Sequence, residues 1–87
     1  GFRKKEYYQQ ALNCYDTIAK IDGNFSTAFY NKGYVFCTYL NEYTKGVDNF
    51  TQAIKLFPSY FQAYYSRGVC YEKMGNKKLA LRIMKWL

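Results

Sequence analysis

A shift of 35 positions lays this chain on itself. Tyr8, Lys20, Ala28, Tyr30 and Gly33 then fall on Tyr43, Lys55, Ala63, Tyr65 and Gly68. Tyr15, Ile21, Phe29, Lys32, Phe36 and Asn41 fall on Phe50, Leu56, Tyr64, Arg67, Tyr71 and Asn76, with no gap from Tyr8 to Asn41. Self-similarity at a fixed period of roughly 20 to 50 residues confines a chain to stacked-repeat architectures, in which no unit can bury its own apolar face and neighbours share one interior. With 87 residues there is room for one such array and no second domain.

Each unit is spelled as helices. Gly46, Val47, Phe50, Ala53, Ile54 and Phe57 recur at helical spacing and put an apolar stripe on one side of a helix that Pro58 ends. Ser59 is a cap candidate for a following helix over Tyr60 to Met74, which Gly75 and Asn76 close as a tight turn. Earlier in the chain, Tyr8, Ala11, Leu12, Tyr15, Ile18, Ala19 and Ile21 form the apolar side of a helix from Glu6 to Ile21. Asp22, Gly23 and Asn24 close it, the glycine supplying a positive φ. A helix from Phe25 to Leu40 follows, capped by Ser26 or Thr27, and Asn41 and Glu42 make its turn. The register makes Gly1 to Lys5 the tail of a preceding helix, so the segment is expected to start inside a repeat. Lys77 to Leu87 forms the last helix, with Leu79, Ala80, Ile83, Met84 and Leu87 on one side. A terminal apolar stripe is an association site, so this end is expected to be covered by further repeats or a partner.

The repeating positions resemble those of the tetratricopeptide repeat, a helix-turn-helix unit of about 34 residues. The middle unit shows Ala28, Phe29, Gly33, Phe36, Tyr43, Gly46, Phe50, Ala53 and Pro58, and the third shows Ala63, Tyr64, Gly68, Tyr71, Gly75, Ala80 and Met84. The first contributes Tyr8, Ala11, Tyr15 and Ile18, with Gly23 where a proline is usual. Lys32 and Arg67 replace the usual leucine, Lys77 replaces an aromatic residue, and Asn41 reads as a one-residue insertion in the middle turn; these departures weaken the packing of individual units. The resemblance implies an all-α, right-handed superhelix of stacked antiparallel hairpins, about two and a half repeats long. It divides the chain into a partial first repeat at 1–24, a middle repeat at 25–58 and an incomplete third at 59–87.

In such an array the packing positions lie on one side of each inner helix and a concave groove on the other. The resemblance places Thr27, Tyr30, Asn31, Tyr34, Thr38, Gln62, Tyr65, Ser66, Val69 and Lys73 in that groove. Asn31 matches an asparagine that family members use to grip a peptide carboxylate, but Gln62 and Ser66 stand where the lysine and arginine of that grip belong, and Arg67 is one place off. Tyrosines there offer large, rigid contact area.

Composition narrows the chemistry. There is no histidine, so the usual base near neutral pH is missing, and the six carboxylates are scattered across different units, which excludes an ordinary acid/base enzyme. Cys14, Cys37 and Cys70 contain no CxxC pair and cannot complete a structural zinc site; no metal and no cofactor is expected. The cysteines read as small packing residues of a reducing compartment, the cytoplasm or another intracellular one. No apolar run reaches membrane-spanning length. A net charge of +7, gathered at Arg3, Lys4, Lys5 and at Lys73, Lys77, Lys78, Arg82 and Lys85, suits solvated helix ends or an acidic partner. The expectation is a protein-interaction module that holds a partner peptide or helix in its groove as part of a larger protein or complex. Two other readings are open at this point: a helical-repeat segment that binds RNA, and a purely architectural segment of an assembly.

Overall fold

The computed structural model describes residues 2–75, with the side chains of residues 3–75. They form α1 (Phe2–Ile21), α2 (Ser26–Tyr34, continued by a π-helical turn over Val35–Tyr39), α3 (Tyr43–Leu56) and α4 (Phe61–Lys73). No β-strand occurs among the described residues. The expected helix from Lys77 to Leu87, with Ala80 and Met84, lies outside them, as does Asn76. Each helix packs on its neighbour in the chain, α1 on α2, α2 on α3 and α3 on α4, so the fold is an all-α stack of helical hairpins.

The helices approach closely because small residues stand where they cross. Ala28, Ala53 and Ala63 have no exposed surface, and Gly33, Gly46 and Gly68 are buried. A methyl group built on Gly33 would lie 2.8 Å from Cδ1 and Cε1 of Phe50 and 3.0 Å from the Gly46 carbonyl oxygen. One on Gly46 would meet Cys37 Cβ at 3.1 Å and Cys70 Sγ at 3.2 Å. Phe50 fills the space these glycines leave, and burying a ring of its size contributes about 1.5–3 kcal/mol. Two clusters make the interior: Cys37, Phe50 and Cys70, and Ala53, Ile54 and Ala63. Tyr30 packs against both. Phe29, Tyr60 and Tyr64 close over the second, Tyr43 and Val47 over the first.

Several turns differ from the sequence expectation. Residues 2–5 continue α1 and are not the tail of an earlier helix. Gly23 does not take a positive φ; instead the Asn24 N–H donates to Asp22 Oδ1 at 3.0 Å and the Phe25 N–H to the Asp22 carbonyl, an Asx turn that needs no left-handed residue. Ser26, Thr27 and Ser59 do not cap their helices. Phe25 and Tyr60 hold the N-cap positions without a side-chain bond, and their carbonyls accept the N–H groups of Ala28 and Ala63. Pro58 does follow the end of α3. Ile21, at the end of α1, is exposed and takes no part in the expected apolar side.

The extra residue read at Asn41 is taken up in the helix before it. The left-handed residue that ends the helix comes 15 positions after its start in the middle unit, Ser26 to Asn41, and 14 in the next, Phe61 to Gly75. The Leu40 N–H reaches back five residues to the Val35 carbonyl, so the surplus is wound into a π turn.

Lys32 and Arg67, at equivalent positions, bridge the units and do not loosen them. Lys32 extends over the Phe29 ring and forms an ion pair with Asp16 of α1. Arg67 extends over the Tyr64 ring and donates from Nη1 to Thr51 Oγ1 of α3 at 3.0 Å. Asp16 and Thr51 are themselves 35 apart, so the same bridge is built twice, once charged and once neutral. In the neutral copy Arg67 Nε is buried without a partner.

Two consequences can be measured by urea unfolding. Gly33→Ala gains up to about 1 kcal/mol of helix propensity. It also forces a methyl against the buried Phe50 ring and the Gly46 carbonyl, an overpacking cost of about 1–3 kcal/mol. The midpoint is therefore expected to fall, and a rise would show that α2 and α3 are free to separate. Thr51→Asp copies Asp16 into the second bridge and offers Arg67 a carboxylate; it is expected to stabilise by about 0.5–1 kcal/mol at low salt, an increment that fades as salt is added.

Candidate functional site

The ten residues expected to line a groove lie on α2, its π turn and α4, and they are unequally exposed. Thr27 and Gln62 are exposed in the first turns of the two helices, and Lys73 is exposed at the end of α4. Asn31, Thr38, Ser66 and Val69 are half-buried. Tyr34 and Tyr65 stand open at 42% and 57% exposure. Tyr30 is different. Its ring meets Phe50 edge-on at 5.7 Å and Tyr60 at 5.1 Å, and its hydroxyl shares a hydrogen bond of 3.3 Å with Ser66 Oγ. That bond ties α2 to α4, so Tyr30 and Ser66 are brought together as part of the stack, and Tyr30 is not free to receive a ligand on its ring face.

Tyr34 leads into a run of rings that sequence reasoning missed. It meets Tyr39 edge-on at 5.9 Å, Tyr39 stacks flat on Tyr8 of α1 at 4.5 Å and 11°, and Tyr8 meets Tyr7 at 5.6 Å. Residues five apart in an α-helix point about 140° away from each other, which is why Tyr34 and Tyr39 read as unrelated. The π turn between them, with its i to i+5 bonding, brings them to one side. The only signal in the sequence was the one-residue surplus near Asn41. Charge repulsion from Tyr34, desolvation and Tyr8 hold the Tyr39 phenol above its usual pKa range, so it stays a neutral hydrogen-bond donor.

The three thiols divide two to one. Cys37 and Cys70 are buried around Gly46, as expected of packing residues, whereas Cys14 is exposed on α1 and packs nothing. The Cys70 thiol donates to the Tyr43 carbonyl at 3.2 Å, and burial, followed by its neighbour Cys37, pushes its pKa up to about 12. An open depression of about 570 Å³ lies at the end of the α2–α3 hairpin, lined by residues 41–45, Lys73 and Met74. Its single carboxylate, Glu42, is held by Lys45 Nζ at 3.0 Å. Among the described residues no group of three or more Cys, Asp or Glu stands close enough to hold a metal ion, and no helix is long and apolar enough to cross a membrane.

Stacked hairpins that share one interior define a helical-repeat array. Residues 49–82 match the model of the tetratricopeptide repeat, the family that the recurring positions resemble. It is 28% identical over 80 residues to protein bimA of Emericella nidulans, an alignment that covers 92% of this chain and 10% of that protein. It is 29% identical over 79 residues to the mitochondrial import receptor subunit TOM70 of Rattus norvegicus, covering 85% of this chain and 13% of that one. The chain thus spans a small fraction of the length of these relatives.

Native-state thiol labelling near neutral pH is expected to modify Cys14 within minutes and to reach Cys37 and Cys70 only on unfolding, read as one adduct against three by mass spectrometry. Because the folded-state pKa of Cys70 lies above the unfolded one, its contribution is intact below about pH 8.5 and is lost as pH rises toward 12, so stability should decline across that window. Rapid labelling of Cys70 in the native protein would contradict its burial.

Proposed function

We propose that the chain holds a peptide or helix of another protein against the inner wall formed by α2 and α4, as one part of a larger protein or complex, and supplies no chemistry of its own. The observation that carries this reading is the pair of exposed tyrosines, Tyr34 and Tyr65, standing on adjacent inner helices that the Tyr30–Ser66 bond holds in register. Rings with few rotatable bonds lose little entropy on docking, and they sit here on rigid elements and not on loops. One relative is by name an import receptor subunit, which accords with recognition of other proteins. The free, buried Cys37 and Cys70 suit a reducing intracellular compartment such as the cytoplasm.

The ring arrangement speaks against single-stranded RNA as the ligand. Bases bind such surfaces by stacking on open aromatic faces. Tyr8 and Tyr39 spend one face each on the other, and Tyr30 is enclosed by Phe50 and Tyr60.

Selection of displayed 15-residue peptides on the folded chain tests the proposal. Enriched peptides are expected to lose roughly tenfold or more in affinity on Tyr65→Ala and Tyr34→Ala, to be indifferent to Lys55→Ala on α3, and to change little between 50 and 300 mM salt. Failure to enrich any peptide, or binding that ignores both tyrosine substitutions, overturns the assignment of the inner wall.

A further inference from the structure

Among the described residues one pair of tyrosines lies flat. Tyr8 of α1 and Tyr39 of the π turn have ring centroids 4.5 Å apart and planes 11° from parallel. The other close tyrosine pairs meet edge-on or tilted: Tyr7 with Tyr8 at 80°, Tyr34 with Tyr39 at 71°, Tyr30 with Tyr60 at 41° and Tyr30 with Tyr34 at 33°. Stacking lays the ring carbons of one phenol over those of the other, which an edge-on meeting does not. The heads of the rings lie together as well, because Tyr34, desolvation and then Tyr8 hold the Tyr39 phenol above its usual range. Tyr39 is 48% exposed and Tyr8 is half-buried, so the pair stands at the surface, within reach of an oxidant in solution. Tyr7 and Tyr34, both exposed, flank it and extend that reach.

We propose that Tyr8 and Tyr39 are an oxidative cross-linking site, at which a one-electron oxidant such as a haem peroxidase supplied with hydrogen peroxide joins the two rings as dityrosine. Each phenol gives up one electron and its proton and becomes a phenoxyl radical, whose unpaired spin resides partly on the ring carbons beside the oxygen. The two spins pair in a new bond between a Cε of Tyr8 and a Cε of Tyr39. Each joined carbon then loses its hydrogen as a proton while the ring oxygen takes one up, so both rings regain their aromaticity and their hydroxyls. In sum two electrons and two protons leave the pair, and they reduce one hydrogen peroxide to two waters. Holding the rings in contact turns the meeting of two scarce radicals into a step within one molecule. The bond ties α1 to the end of α2, across the same two helices that the Lys32–Asp16 ion pair joins. The site does not depend on peptide binding at Tyr34 and Tyr65.

The test uses the 87-residue chain carrying Cys14→Ser, which removes the exposed thiol that would quench phenoxyl radicals. Dilute protein is treated with a haem peroxidase and limiting hydrogen peroxide, and the monomer is isolated by size. It is expected to show dityrosine fluorescence, a mass lower by two hydrogens, and a tryptic fragment in which the peptides holding Tyr8 and Tyr39 are joined. Tyr8→Phe and Tyr39→Phe keep a ring for packing and lack only the oxygen, so their melting curves should match that of the parent. Each is expected to lower the monomer's fluorescence about tenfold or more, because no other pair is held ready to couple. Tyr65→Phe, at an exposed ring outside the stack, leaves it unchanged. Fluorescence of the monomer that survives Tyr39→Phe, or a joined fragment built from other tyrosines, overturns the site. So does dityrosine found only between chains, or a monomer that is oxidised without a cross-link. The cross-linked chain is expected to unfold at a higher urea concentration than its parent, since a cross-link restricts the unfolded chain. An unchanged midpoint would overturn the tie between the two helices.

Discussion

The stack depends on a distance. Gly33 on α2 and Gly46 on α3 let two backbones approach until a single added methyl group would touch a carbonyl oxygen, and Phe50 lies across the same crossing. Everything else takes its place from that contact. It sets how deeply Tyr30 reaches toward Tyr60, whether Cys37 and Cys70 can meet around Gly46, and so where α4 lies relative to α2. Glycine inside a helix is ordinarily a cost of about 0.5–1 kcal/mol. Here it is outweighed by the dispersion and burial that close approach permits.

Much of this could be read in the residues. The recurrence at 35 positions, the small residues at crossing points and the proline after α3 are local, periodic features, and they specify helices, their order and their buried sides. The turns were less legible. Ser26, Thr27 and Ser59 have the chemistry of caps, yet the backbone carbonyls of Phe25 and Tyr60 do that work, and Asp22 makes glycine's special freedom unnecessary at position 23. A cap is decided by φ and ψ at one residue, and several local solutions lie within a kilocalorie of each other. Lys32 and Arg67 misled for a different reason: judged against leucine they look like losses, but their stems cover Phe29 and Tyr64 while their heads reach the neighbouring unit.

The inner wall shows the same limit more sharply. Helical periodicity separates a groove side from a packing side, but it treats each unit as if it had no neighbour. Tyr30 lies on the groove side and is nonetheless a packing residue, since α4 brings Ser66 to its hydroxyl. Tyr39 is turned away from Tyr34 by α-helical counting and is brought against it by the π turn. Both outcomes belong to the relation between units, which no single unit's sequence encodes.

A surplus residue in a repeat array has two outlets, a longer loop or a locally unwound helix. A loop here would lengthen the turn between α2 and α3 and lower the register precision of their crossing, where tolerance is a fraction of an ångström. Winding the surplus into Val35–Tyr39 keeps the turn short, at the cost of poorer hydrogen-bond geometry over one turn. The cost falls beyond Gly33, in a turn whose Cys37 still packs against Gly46, and its by-product is the line of rings from Tyr34 through Tyr39 to Tyr8 that joins α2 to α1. The helix is thus irregular where the stack can absorb it and regular where the two glycines meet.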